Sequence, residues 1–350
     1  MRTLNILTPS VSAGRELSRA EVADAVRSLL DEGTAEETKA EFLTALARRG
    51  ETAEEIAALA LELRDRAVDP QVDPTRFNGV VMDVCGTGSD MAHTFNISSC
   101  ATFVVAAGGV PVVKHGNRAI TSRCGSADVL TALGARIELA PDAARRCLEE
   151  VGVTFYFAPA YHPAFKKLAA VRKKLAERKQ RTVFNILGPL VNPARPTHQL
   201  VGIFDPTLVR RYAEVLRLIG VKRALVVHGA GLDELSTLGV NTCAELWGGR
   251  IEETMRDFRV PHSELRLMEV KLSELAGGDP LYCAQVVWEV LSGRHRGPRR
   301  DIVLLNAAAA LVVAGLVNDF AGGWRRAAEL IDTGAALEKL ERFVEATNRG

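Results

Sequence analysis

The sequence predicts an α/β fold in which a small all-helical domain precedes a large α/β domain with a mainly parallel central sheet. Three observations carry this. Apolar residues up to about Val68 recur at helical periods. From Val80 onward short apolar runs alternate with helix-like segments, and repeated β-then-α order sets strands parallel with helices on the sheet faces. A chain of 350 residues, 47% of them hydrophobic, has material for one large core and a smaller one.

The elements follow in order. Ser18 with Glu21 and Thr52 with Glu55 have capping-box spacing. Between them Val22, Val26, Leu29 and Leu30, then Phe42, Leu43 and Leu46, mark helices, and Gly50 closes one of them. Two prolines in 69–79 make a linker. Val80–Cys85 reads as a buried strand, Ile97–Ala107 as a helix ended by Gly108 and Gly109, and Val110–Val113 as the next strand. Helices Ser126–Leu133 and Pro141–Val151 lead to strand Val153–Phe157. His162–Arg181 is helical again and is placed back on the N-terminal helices. Leu200–Phe204 and Ala224–Val227 are strands flanking a helix that ends at Gly220; Thr242–Trp247 and Arg250–Thr254 form a hairpin through Gly248 and Gly249. The domains expected are 1–69 with 162–182 folded onto it, then 79–161 with 183–350.

A net charge of +1 with 25% charged residues argues against a nucleic-acid partner, which calls for a basic stripe. Six cysteines without CxxC or CxxH spacing fit reduced thiols in the cytoplasm. The N-terminus has no long apolar segment of a secretory signal. The Ala-rich stretch Ile302–Val317, with Asn306 inside it, falls short of a membrane span.

Chemistry concentrates in loops after predicted strands. The first runs Asp83-Val-Cys-Gly-Thr-Gly-Ser-Asp-Met-Ala-His-Thr-Phe-Asn-Ile-Ser-Ser99. Gly86 and Gly88 permit tight turning, and Asn96, Ser98 and Ser99 set side-chain donors beside the open N–H groups of a helix start. Asp90 there suits a ribose hydroxyl or a metal rather than a bare phosphate. The second loop, Lys114-His-Gly-Asn-Arg-Ala-Ile-Thr-Ser-Arg-Cys-Gly-Ser-Ala-Asp128, adds positive charge at Lys114 and Arg118 and directional donors at His115 and Asn117. Thr121, Ser122 and Ser126 add hydroxyls, and Gly116 and Gly125 add backbone freedom. Two such loops predict a large polyanionic substrate held on two sides. A third cluster, His228-Gly-Ala-Gly-Leu-Asp-Glu-Leu-Ser236, puts Asp233 and Glu234 where open α/β sheets bind ligands and suits Mg²⁺. The apolar, turn-rich Phe184–Pro193 reads as either a hinge or a connector.

Taken together, these segments resemble the anthranilate phosphoribosyltransferase family over nearly the whole chain. The motifs in family order are Gly-Thr-Gly-x-Asp with Thr-Phe-Asn-Ile-Ser, Lys-His-Gly-Asn-Arg, Gly-Ser-Ala-Asp, Phe-Asn-Ile-Leu-Gly-Pro-Leu-x-Asn-Pro and Leu-Asp-Glu. The resemblance implies the nucleoside phosphorylase/phosphoribosyltransferase type of fold and a homodimer formed through the helical domain. It implies transfer of phosphoribose from phosphoribosyl diphosphate to the amine of anthranilate, with release of diphosphate, as a step of tryptophan biosynthesis. Carried over by motif, Gly86, Ser89, Asp90, Thr94, Asn96, Ile97, Ser98, Ser99, Lys114, His115, Gly116, Asn117, Arg118, Ala119, Ile120, Thr121, Ser122 and Ser126 would hold phosphoribosyl diphosphate. Gly86, Asn117, Arg172, His115 and His162 would contact anthranilate, and Ser98, Asp233 and Glu234 would ligate Mg²⁺. The sequence departs from the family at Ser89 and Met91, which replace glycines, at Ser99, at Cys124, where a small hydroxyl residue is frequent, and at Cys283, where Asn is frequent. The alternatives are a pyrimidine nucleoside phosphorylase, a transferase for another aromatic amine, and a non-catalytic nucleic-acid-binding relative of the fold.

Overall fold

The computed structural model describes residues 3–88, 90–119, 123–259, 265 and 267–349. It opens with four helices, α1 (Leu4–Ser12), α2 (Arg19–Leu30), α3 (Glu36–Arg49) and α4 (Ala53–Arg64). Ser18 and Thr52 cap α2 and α4 as their spacing predicts, each accepting from the N–H three residues on while Glu21 and Glu55 return the bond. Glu55 also accepts from the Leu17 N–H at 2.7 Å and pairs with Arg49. One buried carboxylate thus ties α3, α4 and the entry to α2 together.

The remaining elements are β1 (Met82–Gly86), α5 (Ile97–Ala107), β2 (Val112–Gly116), α6 (Ser126–Ala132), α7 (Pro141–Val151), β3 (Val153–Phe157), α8 (Ala158–Tyr161), α9 (Ala169–Glu177), β4 (His198–Gly202), α10 (Val209–Leu218), β5 (Arg223–Gly229), β6 (Asn241–Trp247), β7 (Arg250–Arg256), α11 (Pro280–Leu291), α12 (Pro298–Val313), α13 (Phe320–Asp332) and α14 (Ala335–Asn348). The strands form a seven-stranded sheet in the order β3-β2-β1-β4-β5-β6-β7. β1 to β5 are parallel, and β6 and β7 add the antiparallel hairpin.

Pairing, rather than apolarity, decides where the strands end. Strand β1 runs into Gly86 because Gly86 pairs with Gly202, and for the same reason β4 begins at His198 rather than Leu200. Strand β2 starts after Pro111, which has no N–H to give, and continues through Lys114–Gly116 beside Phe155–Phe157. The expected single helix His162–Arg181 is broken: a 3₁₀ turn from Pro163 to Leu168 precedes α9, and Lys179 beyond it sits at φ +53°.

Alternation along the central strands feeds two cores. Leu200, Leu225, Val227 and Cys243 face a layer built by α5, α11, α12 and α14. Val201, Ala224, Val226, Ala244 and Leu246 face α10 and merge with Phe42, Leu43, Ile56 and Leu59 of the N-terminal helices. Leu168, Val171 and Leu175 belong to this second core, so α9 rests on α3.

Among the described residues no helix is long and apolar enough to cross a membrane. Helix α12 instead lies inside the protein, where Asn306 is fully buried. Its side chain accepts from the Leu235 N–H at 3.0 Å and donates to the Leu235 carbonyl at 2.8 Å and the Ile302 carbonyl at 2.9 Å. Asn306→Leu would orphan both backbone groups of Leu235. We expect it to cost about 2–4 kcal/mol of unfolding free energy, read from urea denaturation.

Candidate active site

The three motif loops meet at the C-terminal ends of β1, β2 and β5. A cavity of about 200 Å³ there is lined by Gly86, Gly88, Asp90, Met91, Thr94, Asn96, Ile97, Ser98, Ser99, Cys124, Gly125, Ser126, Asp233 and Glu234. Predicted residues from all three segments therefore share one space. Ser89, Ile120, Thr121 and Ser122 lie outside the described residues.

Small residues make this convergence possible. A Cβ on Gly86 would stand 2.4 Å from Oδ2 of Asp233, and one on Gly202 would stand 1.5 Å from the Asp233 carbonyl oxygen. On Gly116 it would meet the Ser126 hydroxyl at 2.1 Å. The acidic segment is then pinned from behind: His228 Nδ1–H donates to the Ile203 carbonyl at 2.8 Å, the Asn241 carboxamide brackets Ser236, and Asn306 holds Leu235. The first loop is less relaxed. Gly88, Met91 and His93 all have positive φ, at 68°, 60° and 52°. Met91 occupies a conformation that disfavours a side chain by about 1–2 kcal/mol, at a position where the sequence departs from glycine.

Charge is arranged around one ammonium group. Lys114 is buried; its Nζ donates to the Val84 carbonyl at 2.6 Å and to the Ser98 hydroxyl at 3.1 Å. Asp83 is wholly buried, held by Asn192 Nδ2 at 2.9 Å, and burial pushes its carboxyl up to about 6 against the pull of Lys114. Glu234 accepts from the Ser98 N–H in the first turn of α5 at 3.1 Å. Burial, opposed by Lys114, lifts its carboxyl to about 8. Asp233 accepts from the Gly88 N–H at 2.5 Å, and burial beside Asp90 and Glu234 raises it well above the usual range.

Three crowded carboxylates without a preformed cage fit Mg²⁺, which keeps several waters and binds through one or two carboxylates plus substrate phosphates. Among the described residues no three His, Cys, Asp or Glu side chains gather as a ready ligand set. The donor chemistry of Ser98, Asp233 and Glu234 nonetheless matches this hard cation.

A second, aromatic compartment adjoins the first. His115 and His162 stand edge to face at 5.1 Å; His162 stacks on Phe165 at 4.9 Å, Phe165 meets Phe184 at 6.2 Å, and the Arg172 guanidinium lies 5.6 Å over Phe184. Arg172 makes no ion pair among the described residues, where the neighbouring Lys174 and Arg178 both bind Glu37. His115 Nδ1–H donates to the Gly188 carbonyl at 3.2 Å, which ties the segment Phe184–Pro193 to the end of β2. Nε2 of His115, Nε2 of His162, Oδ1 of Asn96 and the Ser99 hydroxyl are buried with no protein partner among the described residues.

Two expected ligands also make contacts within the loops. Arg118 is exposed, pairs with Asp128 at 3.0 Å and lies over Phe157. Asn96 starts α5 without capping it and gives its side-chain amide to the Cys124 carbonyl at 3.2 Å. Within the second loop Asn117 turns its side chain onto the Arg118 N–H, and its carbonyl receives the Ala127 N–H. Sequence reasoning missed Asp128, whose carboxylate takes the Ala119 and Gly125 N–H groups and so sets the second loop's curvature. It also missed Asn192, Phe165 and Phe184. Asn306 was visible as the polar residue in an apolar stretch, but its partner was not. Cys85 is a buried thiol pushed well up by burial.

A parallel α/β sheet with substrate loops at its strand ends and a helical lobe against one face defines a two-part glycosyl transferase. The α/β domain of the glycosyl transferase family matches residues 78–337, and that family's helical bundle domain matches 9–67. The anthranilate phosphoribosyltransferase of Anaeromyxobacter dehalogenans (strain 2CP-C) is 46% identical over 334 residues, 95% of this chain and 96% of that one. That of Chloroflexus aggregans is 45% identical over 343 residues, 97% of each. Among solved structures, the Thermus thermophilus anthranilate phosphoribosyltransferase superposes with a TM-score of 0.88 at 38% identity, covering 97% of this chain and 99% of that one. The Saccharomyces cerevisiae enzyme in complex with PRPP and Mg gives 0.85 at 28% identity, covering 99% and 98%. The chain belongs to the anthranilate phosphoribosyltransferase family.

Burial holds the two imidazoles neutral, pulling His115 from 6.5 to about 3, with His162 adding to the effect, and His162 to about 4. Because these folded-state values are depressed, the stability they contribute is present above about 6.5 and is lost as pH falls through 4 and 3. Calorimetric midpoints should drop between pH 6.5 and 4, and His162→Gln should flatten that acid limb. An unchanged limb in the variant would show that other groups set it.

Proposed function

We infer that the chain transfers the phosphoribosyl group of phosphoribosyl diphosphate to the amine of anthranilate, giving N-(5-phosphoribosyl)anthranilate and diphosphate in tryptophan biosynthesis. The observation that carries this is the pairing of the polar cavity over the start of α5, with its buried ammonium and acidic pair, with an aromatic compartment ending in the guanidinium of Arg172. A structure of the Saccharomyces cerevisiae relative holds 4-fluoroanthranilate.

The polar cavity would take the diphosphate and ribose between the loop of Gly86, Ser89, Asp90, Thr94 and Asn96, the α5 start at Ile97, Ser98 and Ser99, and the loop Lys114–Ser122 with Ser126. Mg²⁺ bound at Ser98, Asp233 and Glu234 would supply charge for the departing diphosphate. Lys114, already oriented by Val84 and Ser98, would add a fixed positive charge on the same side without reorganising. Arg172 would take the anthranilate carboxylate and His115, His162 and Asn117 would frame its ring, a positioning role worth far more than proton transfer here. An aromatic amine is neutral near pH 7, so no base is needed to expose its lone pair. Neutral histidines suit this: they frame the acceptor without repelling the developing positive charge at the ribose carbon. We further propose a homodimer through the helical domain, in the cytoplasm, with residues 1–69 and 162–182 as the helical unit and 79–161 and 183–350 as the other. The exposed Ile6 on α1 and the packing of α9 on α3 support that division.

The test mixes protein, phosphoribosyl diphosphate, Mg²⁺ and anthranilate and follows loss of anthranilate fluorescence. The double variant Asp233→Asn/Glu234→Gln should lose activity by at least about 100-fold with its fold intact by circular dichroism. Arg172→Ala should raise the KM for anthranilate by about 10–100-fold, a lost charged hydrogen-bond pair, with the KM for phosphoribosyl diphosphate unmoved. Turnover of another aromatic amine but not anthranilate would reassign the acceptor.

A further inference from the structure

The first substrate loop is suspended between two anchors. At its start the Thr87 N–H donates to the Gly202 carbonyl at 2.9 Å, at the end of β4. At its end it lies antiparallel to segment 275–277. The Phe95 N–H donates to the Leu275 carbonyl at 3.1 Å, the Gly277 N–H donates to the His93 carbonyl at 2.8 Å, and Thr94 bridges to Ala276. The approach is close, since a Cβ on Gly277 would stand 2.6 Å from the Thr94 carbonyl oxygen. Between the anchors Met91 and His93 hold positive φ, and such a backbone keeps its shape only where its surroundings over-determine it. The loop also brings Asp90 to the acidic turn, where its Oδ2 accepts from the Asp233 N–H at 3.4 Å.

The first anchor is a strand of the sheet. The second is not: beyond the short 3₁₀ turn Leu272–Leu275 the chain reaches α11 with neither strand nor helix. Arg299, in the first turn of α12, holds it in place. Its Nε–H donates to the Glu274 carbonyl at 3.1 Å, and its Nη2 donates to the Ala276 carbonyl at 3.2 Å and the Tyr282 hydroxyl at 2.7 Å. The guanidinium lies 5.5 Å over the Tyr282 ring. One planar fork thus collects two carbonyls and a hydroxyl, which an ammonium group cannot reproduce. Helix α12 also carries Asn306, which holds Leu235 behind the acidic turn. A single helix therefore supports both walls of the polar cavity, the turn of Asp233 and Glu234 directly and the loop of Asp90 through Arg299.

We propose that Arg299 is a positioning residue for phosphoribosyl diphosphate: it props segment 274–277 under the first substrate loop and so fixes the setting of Asp90 against Asp233. Arg299 is not among the residues that line the cavity, so it acts through the loop and not on the substrate. The aromatic compartment is built from other segments, at His115, His162, Phe165, Arg172 and Phe184, and does not draw on this support. Losing the fork therefore weakens the donor's site and leaves the acceptor's site as it was.

The experiment compares the whole protein with Arg299→Gln and Arg299→Lys by amide hydrogen exchange and by steady-state kinetics. In Arg299→Gln the amides of Phe95 and Gly277 should exchange about 10-fold faster, the scale of one lost hydrogen bond to a charged group, while Leu235 keeps its rate. The KM for phosphoribosyl diphosphate should rise by about 10-fold as well, with the KM for anthranilate unmoved. Arg299→Lys should behave like Arg299→Gln, because it keeps the charge and loses the fork. Tyr282→Phe removes one acceptor of the fork at a partly exposed position, and serves should Arg299→Gln not fold. It should shift the same two amides in the same direction by less. The change in KM rests on the reading of the cavity as the phosphoribosyl diphosphate site, whereas the exchange rates do not. Faster exchange at an unchanged KM would leave the support standing and count against that reading. Unchanged exchange at Phe95 and Gly277, a loss of protection that reaches Leu235 equally, or recovery of the wild-type KM in Arg299→Lys would overturn the proposal.

Discussion

The site depends on one close approach: the backbone of Asp233 lies against the ends of β1 and β4, in space that exists because Gly86 and Gly202 have no Cβ. These glycines face each other in neighbouring parallel strands, so a single gap in the sheet edge admits the acidic turn. Everything that positions the carboxylates follows from seating that turn. His228, which accepts the Gly231 N–H, and Asn241 and Asn306 satisfy its backbone from the side facing the core, which leaves its acidic side chains on the cavity side. Ordering the turn costs chain entropy, and the compensating bonds are buried, where leaving them unmade would be more expensive still.

Seating the turn creates an electrostatic problem that Lys114 answers in part. Asp83 beneath and Glu234 above are both drawn toward ionisation by its ammonium, and both are held back by burial. Burial above all, with Asp90 adding to it, is why the Glu234 carboxyl is lifted to about 8 and Asp233 stays above its usual range. Such a cluster favours the arrival of positive charge. Its folded-state values are raised, so the stability contributed by the neutral Glu234 carboxyl is present below about 4.5 and is lost as pH rises through about 8. The imidazoles next door act in the opposite sense.

Local chemistry was legible in the sequence, and long-range support was not. The glycines, hydroxyls and Lys114 of the two loops announce themselves because small and polar residues after an apolar run have few other uses. Capping boxes at Ser18 and Thr52 are likewise complete within four residues. By contrast, the bonds from Asn306 to Leu235 and from Asn192 to Asp83 span 71 and 109 residues, and no spacing rule reaches that far. Phe165 and Phe184 read as ordinary apolar residues because ring-to-ring contact is a tertiary property. The pairing of Arg118 with Asp128 was not read either, although both sit on the same loop, because only the folded loop brings them together. The strand ends shifted because a parallel strand is as long as its partners allow, and partners are invisible locally.

The division into a charged and an aromatic compartment sets what the site can distinguish. On the charged side the groups are rigidly held: Lys114 by two acceptors, Glu234 by the α5 start, Asp233 by Gly88. Rigid dipoles stabilise a departing anion best because they need not reorganise. On the aromatic side His162 stacks on Phe165 and the Arg172 guanidinium lies over Phe184, a planar fork whose geometry matches a carboxylate. Under the proposed function, selectivity between aromatic amines would rest on Arg172 and the rim formed by His115 and His162, and selectivity for the donor on the loops. The two compartments touch at His115, which follows Lys114 directly in β2 and so faces away from it along the strand. A single strand end thus turns an ammonium to one side and an imidazole to the other, and its pleat alone keeps them apart.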